Sequence, residues 1–288
     1  KNGGDSTSLA VMIARAATGK EKIVKIHDGY HGVAPWMQDE GRPGIITSDS
    51  KHVLKVNWNN LDELQMLFEN RASEIACFIS SPYDHPVSRD NELPKEGYWE
   101  GVSKLCKKHD VLLIVDDVRA GFRINLSGSN VEYGFKPDLI CFGKAIANGH
   151  ALSALVGTNE IKDAAEKVYF TGTQFFSAPP MAAACVTLKE LKKIDAANRM
   201  TEYGKKLNES LVNIAEQNGF NLVASGIPAM PYYRLDGVDI KTHFKWIDEC
   251  VRRGVYMLGY HNHFISTCHS DEDIESITEI AKQAFSVL

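Results

Sequence analysis

The chain has 288 residues, 44% of them hydrophobic and 24% charged, with a net charge of −5. That is room for one large α/β domain and a smaller one, and the mild negative balance leaves no basic footprint for nucleic acid or an acidic membrane surface. No apolar run approaches bilayer-spanning length, and the six scattered cysteines form no C-x-x-C, which reads as reduced thiols in a cytoplasmic protein.

Lys1-Asn2-Gly3-Gly4 shows neither an initiator methionine nor a signal peptide, so the chain reads as a fragment lacking its N-terminal segment. Residues 8–18 put Leu9, Met12, Ile13 and Ala16 on one helical face, closed by Thr18-Gly19. A short strand over 22–26 leads into the polar turn His27–Gly32. Residues 33–60 lack periodicity, and so long an irregular insert is usually functional or mobile. A helix is expected over 61–70, a strand over 75–79 ending on Ser80-Ser81-Pro82, and a helix over 98–109. Strands over 111–115 and 138–142 follow, then a strand at 154–156 and a helix near 159–167. One long helical stretch is expected over about 180–219. The tail from Leu222 alternates short strands with helices over 241–253 and 271–287. Strand–helix repetition followed by a mixed tail predicts a mostly parallel sheet flanked by helices, then a smaller α/β domain, with the boundary after residue 204. The expected domains are therefore 1–204 and 205–288.

Two apolar runs end on polar residues. Val111–Val115 ends on Asp116-Asp117, and Leu139–Gly143 ends on Lys144. In open α/β sheets the ligand lies beyond the carboxyl ends of the strands. A lysine and an aspartate delivered there are the pair that pyridoxal phosphate needs, the lysine for a Schiff base and the aspartate for the pyridine nitrogen. Gly3-Gly4-Asp5-Ser6 ahead of a helix suits a phosphate, although the same residues are ordinary N-cap chemistry. Tyr30 after a strand can lie over a bound ring or simply pack at a domain edge.

In this order the motifs resemble the class III aminotransferases, fold type I pyridoxal phosphate enzymes, and within them the glutamate-1-semialdehyde aminomutase branch. Asn2–Ser6 is similar to the family's phosphate loop, Asp28–Gly32 to the segment whose aromatic stacks on the cofactor, and Asp116-Asp117-Val118-Arg119-Ala120-Gly121-Phe122-Arg123 to its D-E-V-x-x-G-F-R stretch. Pro137–Lys144 is similar to the Schiff-base region, and Gly172-Thr173 to the threonine that reaches a neighbouring subunit's phosphate. The resemblance implies Lys144 and Asp116 as catalytic residues, and Gly3, Gly4, Ser6, Tyr30, Val118 and Thr173 as further cofactor contacts. It also implies pyridoxal 5'-phosphate as cofactor, a small amine or carbonyl substrate, no metal, and a homodimer with shared active sites. Four places depart from the pattern: Gly4 stands where many relatives carry Ser or Thr, Ser81-Pro82 replaces Glu-Pro, Ala147-Asn148-Gly149-His150 replaces a glycine run, and Gln174-Phe175-Phe176-Ser177-Ala178-Pro179 after Gly172-Thr173 is less standard than the rest.

The expected function is amino transfer to or from a small carbonyl compound. Glutamate-1-semialdehyde isomerisation uses the same residues and remains the close alternative, with 33–60 as the candidate lid. A non-catalytic cofactor-binding homologue is a third reading, though such a protein has no need for both Lys144 and Asp116. A nucleotide-binding enzyme is disfavoured because no G-x-G-x-x-G or P-loop follows the first strand. His261-Asn262-His263 with His269 lacks the carboxylate or cysteine companions a metal would want, so a substrate-facing or structural role is expected.

Overall fold

The structure, a computed structural model, describes residues 1–288 and separates into two compact units. The first comprises Lys1–Pro82 and Pro94–Lys192, the second Tyr83–Leu93 and Lys193–Leu288. The boundary expected after residue 204 falls inside a continuous helix, and the short 83–93 segment joins the second unit rather than the first.

In chain order the first unit holds α1 (Gly3–Thr18), β1 (Lys22–Ile26), α2 (Thr47–Ser50), β2 (Val53–Val56), α3 (Leu61–Arg71), β3 (Ile75–Ser80), α4 (Tyr98–Lys108) and β4 (Leu112–Asp116). It continues with α5 (Ser129–Glu132), β5 (Leu139–Phe142), β6 (Ala154–Gly157), α6 (Lys162–Lys167) and α7 (Ala178–Lys193). The strands form one sheet in the order β2-β1-β3-β4-β5-β6, all parallel except the last pair. Chain order reverses at β1, which lies between β2 and β3, so the carboxyl ends around it form a switch point.

Strand alternation sorts the core onto two faces. Val24, Ile26, Leu113 and Val115 face α3 and α4, where Trp99 stacks on Phe135 at 4.3 Å. Ile23, Ile114, Leu139 and Cys141 face α1, whose Ala10, Val11, Ile13 and Ala14 are buried. The same alternation turns Asp116 toward the α1 face.

The 33–60 stretch is less irregular than its sequence suggests. It contributes the edge strand β2, the short α2 and a 3-10 turn at Pro35–Met37. A four-residue edge strand with mostly half-buried side chains is too short to show a period. The long helix expected over 180–219 is two helices, because Asp195 takes a left-handed conformation (φ 49°) that an α-helix cannot contain.

In the second unit α8 (Ala196–Gln217), α9 (Ile240–Arg252) and α10 (Asp271–Phe285) accompany the antiparallel pair β7 (Asn221–Ser225) and β8 (Tyr232–Asp236). Trp246 of α9 is fully buried and stacks on Phe285 at 5.0 Å. The 83–93 segment is held by Asn91, whose backbone N–H donates to the Ser225 hydroxyl at 3.0 Å, and by Asp90, paired in two-pronged fashion with Arg234. No helix is long and apolar enough to cross a membrane.

Candidate active site

Four backbone segments of the first unit converge beyond the carboxyl ends of β1, β4 and β5. α1 begins at Gly3, with the Asn2 backbone N–H donating to the Asp5 carboxylate at 2.8 Å. The first-turn amides of a helix have no partner within it, so the Gly3 and Gly4 N–H groups are available to an anion. Glycine is required at Gly3 because a Cβ there would stand 2.4 Å from Val118 Cγ1. Gly32 needs its freedom twice over: φ is +118°, and a Cβ would meet the Gly4 Cα at 2.7 Å. These close approaches press the Tyr30–Gly32 loop and the turn after β4 against the helix start.

Val118 is 8% exposed and also approaches Gly143, where an added Cβ would lie 3.1 Å from Cγ1. It is therefore packed between Gly3 and the residue preceding Lys144. Asp116, buried at the end of β4, accepts from the Val118 backbone N–H at 3.1 Å through Oδ1. Its Oδ2 lies 2.7 Å from His31 Nδ1, and His31 is only 3% exposed. The His31 Nε2 is buried with no hydrogen-bond partner. The Thr7 hydroxyl donates to the His31 carbonyl at 2.5 Å, fixing the backbone that carries the ring.

Lys144 opens a 3-10 turn, Lys144–Ala147, and has a left-handed φ of 43°. A non-glycine residue there carries strain, a feature found at functional sites. Partial desolvation, then the positive charges of Arg119 and Arg123, draw its ammonium below the usual lysine range, while Asp116 opposes them. The side chain remains open to solvent, as an amine that must meet an aldehyde has to be. Asp117 points elsewhere: its carboxylate accepts from the Ser129 N–H at 2.8 Å and the Ser129 hydroxyl at 2.5 Å. Burial raises it to about 6 despite those bonds, with the Asp116 charge adding to the rise. The Cys141 thiol is pushed well above its usual range by burial and then by Asp116, so it stays neutral.

The structure thus brings together Gly3, Gly4, Val118, Asp116 and the backbone leading into Lys144. Tyr30 adjoins His31 and is 55% exposed. Ser6 is buried, and its hydroxyl donates to the Gly3 carbonyl at 2.8 Å, so its proton is committed within the loop. Thr173 is exposed on the turn before α7, outside the contacts just described. Ser81 at the end of β3 leaves no carboxylate there. Sequence reasoning did not assign His31, although it follows Tyr30 directly in the motif. The tail histidines turn inward to backbone: His263 Nε2 accepts from the Leu258 N–H at 3.2 Å, and burial pushes its pKa down to about 4. His269 Nδ1 accepts from the Ser266 N–H.

The residues present suit pyridoxal phosphate. Two glycine amides at a helix start suit an anionic phosphate, an apolar side chain lies beside them, and a buried carboxylate and an accessible lysine supply the donor set that this cofactor uses.

Comparison with known proteins agrees. The family described as Aminotransferase class-III matches residues 1–285. The aminopentol aminotransferase of Sphingopyxis macrogoltabida is 36% identical over 289 residues, covering 100% of this chain and 68% of that protein. The 3-aminobutyryl-CoA aminotransferase of Cloacimonas acidaminovorans (strain Evry) is 33% identical, covering 99% and 69%. Among solved structures, the PLP internal aldimine form of the FumI protein of Sphingopyxis sp. MTA144 superposes with a TM-score of 0.96 at 36% identity, covering 100% of this chain and 69% of that one. A glutamate-1-semialdehyde-aminomutase from Pseudomonas aeruginosa PAO1 is only 21% identical (TM-score 0.84), which shows the shared fold alone. The expected closeness to the aminomutase branch therefore has no particular support. A parallel sheet with Lys144 and Asp116 at neighbouring strand ends, and a family match running nearly from end to end, lead to one conclusion: the chain belongs to the class-III aminotransferases, enzymes of fold type I that use pyridoxal phosphate.

Proposed function

We propose that the chain carries out intermolecular amino transfer from an amine that is not an α-amino acid, with Lys144 as the reacting lysine. The observation that carries the reading is the convergence of Asp116 and Lys144 at the ends of paired strands, with Val118 between the helix start and Gly143. Pyridoxal phosphate, when bound, supplies an aldehyde that condenses with amines and a ring that takes up the electron pair released at the substrate carbon.

The chain's own residues do the rest. Lys144 Nζ is the amine that would hold the cofactor's aldehyde and be released when a substrate amine takes its place. The freed amine, with its affinity for protons reduced by desolvation and by Arg119 and Arg123, then moves a proton away from the substrate's nitrogen-bearing carbon. Asp116 would pair with the pyridine nitrogen and favour its protonated form, and His31 fixes the carboxylate's direction. The Gly3 and Gly4 amides would hold the phosphate, with Val118 and Tyr30 on the two faces of the ring. Ser6 acts through the loop, by its bond to the Gly3 carbonyl.

Thr173 is assigned to the phosphate of a second copy. In support, the helix that follows it buries only Pro180 and Ala184 and leaves Met181, Val186 and Leu188 exposed, apolar side chains that a second copy would cover. The substrates for which two relatives are named, an aminopentol and a 3-aminobutyryl thioester, both carry the amine away from any carboxylate, which favours the same class here.

The test is to incubate the holoenzyme with an amino alcohol or a β-amino thioester, with and without pyruvate. Alanine formed only with both present supports the proposal. Isomerisation of glutamate-1-semialdehyde without exchange of nitrogen with a second amine would replace it with the aminomutase reading.

A further inference from the structure

Lys25 lies within β1, on the same face as Ile23, and is only 1% exposed. An ammonium has three N–H donors, and the structure supplies two hydrogen-bonding carbonyls and one ion-pair partner. They are the Gly29 carbonyl at 2.9 Å, the Met37 carbonyl at 3.3 Å and the Asp39 carboxylate at 3.1 Å. Asp39 also pairs with Lys55 Nζ at 2.7 Å and with Arg42 at 3.5 Å.

The three partners come from different places on the chain. Gly29 begins the loop bearing Tyr30 and His31, Met37 ends the 3-10 turn, and Asp39 follows it. The Gln38 side-chain amide donates to the Gly32 carbonyl at 2.7 Å, closing the far end of the same loop. Residues 29–32 and 35–39 are thus drawn onto a single buried cation. Stability alone is a poor reason for such a group, because a well-packed apolar replacement of a buried ion pair is often neutral or stabilising. Fixed geometry is a better one.

We infer that Lys25 and Asp39 form a positioning pair that sets the Tyr30–Gly32 loop over Asp116, and through it the seat of the cofactor ring. The inference rests on the reading of Asp116 as the ring's partner. One consequence is immediate: the stretch up to Asp39 is pinned, so a lid drawn from residues 33–60 begins beyond it.

The test compares wild-type holoenzyme with Lys25→Met and Asp39→Asn. Hydrogen exchange followed by mass spectrometry is expected to show faster exchange in peptides spanning residues 27–39, with β3 and β4 unchanged. Pyridoxal phosphate should bind at least about tenfold more weakly to Lys25→Met, since removing one partner of a buried pair strands the other groups. At saturating cofactor, kcat should fall and its pH profile shift, while KM for the amine stays level. Should Lys25→Met fail to fold, Asp39→Asn decides by the same readings, since it leaves Lys25 its two carbonyl partners. Wild-type exchange over 27–39 would overturn the inference. So would faster exchange with unchanged cofactor affinity, because the pair would then be a clamp with no bearing on the site. Failure of the cofactor reading itself would show separately, as wild-type protein that binds no pyridoxal phosphate.

Discussion

Replacing Gly32 by alanine is expected to damage both the fold and the site, and the size of the effect follows from two contacts. The residue has φ +118°, a region that side chains rarely adopt, and holding alanine there costs about 1–3 kcal/mol. The new Cβ would also stand 2.7 Å from the Gly4 Cα and 3.4 Å from Thr7 Oγ1. Gly4 is backbone at a helix start and cannot swing aside, so overpacking adds about 1–3 kcal/mol. The total is about 2–6 kcal/mol. Gly19→Ala is the matched control, since Gly19 has φ +68° with nothing within 4 Å of its Cβ position. It should cost only the left-handed backbone term, about 1–2 kcal/mol. Urea unfolding of both apoproteins gives the stability difference, and equilibrium titration with pyridoxal phosphate gives the functional one. If the Gly32→Ala strain is relieved by moving the loop off α1, cofactor affinity falls by about tenfold or more, each factor of ten being about 1.4 kcal/mol. A Gly32→Ala protein as stable as Gly19→Ala, with unchanged cofactor affinity, would refute the close-approach argument.

Asp117 supplies a pH prediction. Its carboxyl titrates at about 6 in the folded chain against 3.8 unfolded, so the folded state holds the proton more tightly and stability is lost as pH rises through that window. Asp117→Asn can still bond Ser129, and relative to wild type it should gain about 1.5 kcal/mol between about pH 5 and about pH 7.5; parallel unfolding curves at the two pH values would contradict this. Thr173 can be tested by complementation. Lys144→Ala and Thr173→Ala homodimers should each be impaired, while a heterodimer regains one intact site and with it turnover, measured against the unmixed proteins. Asp116→Asn should lower kcat by about 10²–10⁴-fold while the chain remains folded, as checked by circular dichroism.

Much of this site was legible in the sequence because its parts sit at strand ends. Asp116 and Lys144 each close an apolar run, and a strand buried on both faces is the easiest element to read. The second unit's helices were equally plain from their apolar stripes, α9 above all. What escaped notice is instructive. β2 was lost because four residues at a sheet edge carry too little burial to show a period. The 180–219 stretch looked continuous because both helices are individually good formers, and only the backbone at Asp195 reveals the break. His31 and Lys25 are hard to read from sequence for a different reason. Each owes its importance to a partner far away in sequence, Asp116 for the one and Asp39 for the other. The one local signal was a lysine at a core position of a short strand, where burial demands a partner. Ser6 is a hydroxyl that a phosphate loop marks for a ligand role, and in this structure it donates to the Gly3 carbonyl.

The most direct measurement is borohydride reduction of the holoenzyme followed by proteolysis and mass mapping. The expected result is a single pyridoxyl adduct, on Lys144, that is absent from Lys144→Ala and suppressed when amine substrate is added first. An adduct on another lysine, or none in protein loaded with pyridoxal phosphate, would contradict the assignment of Lys144 and with it the proposed chemistry.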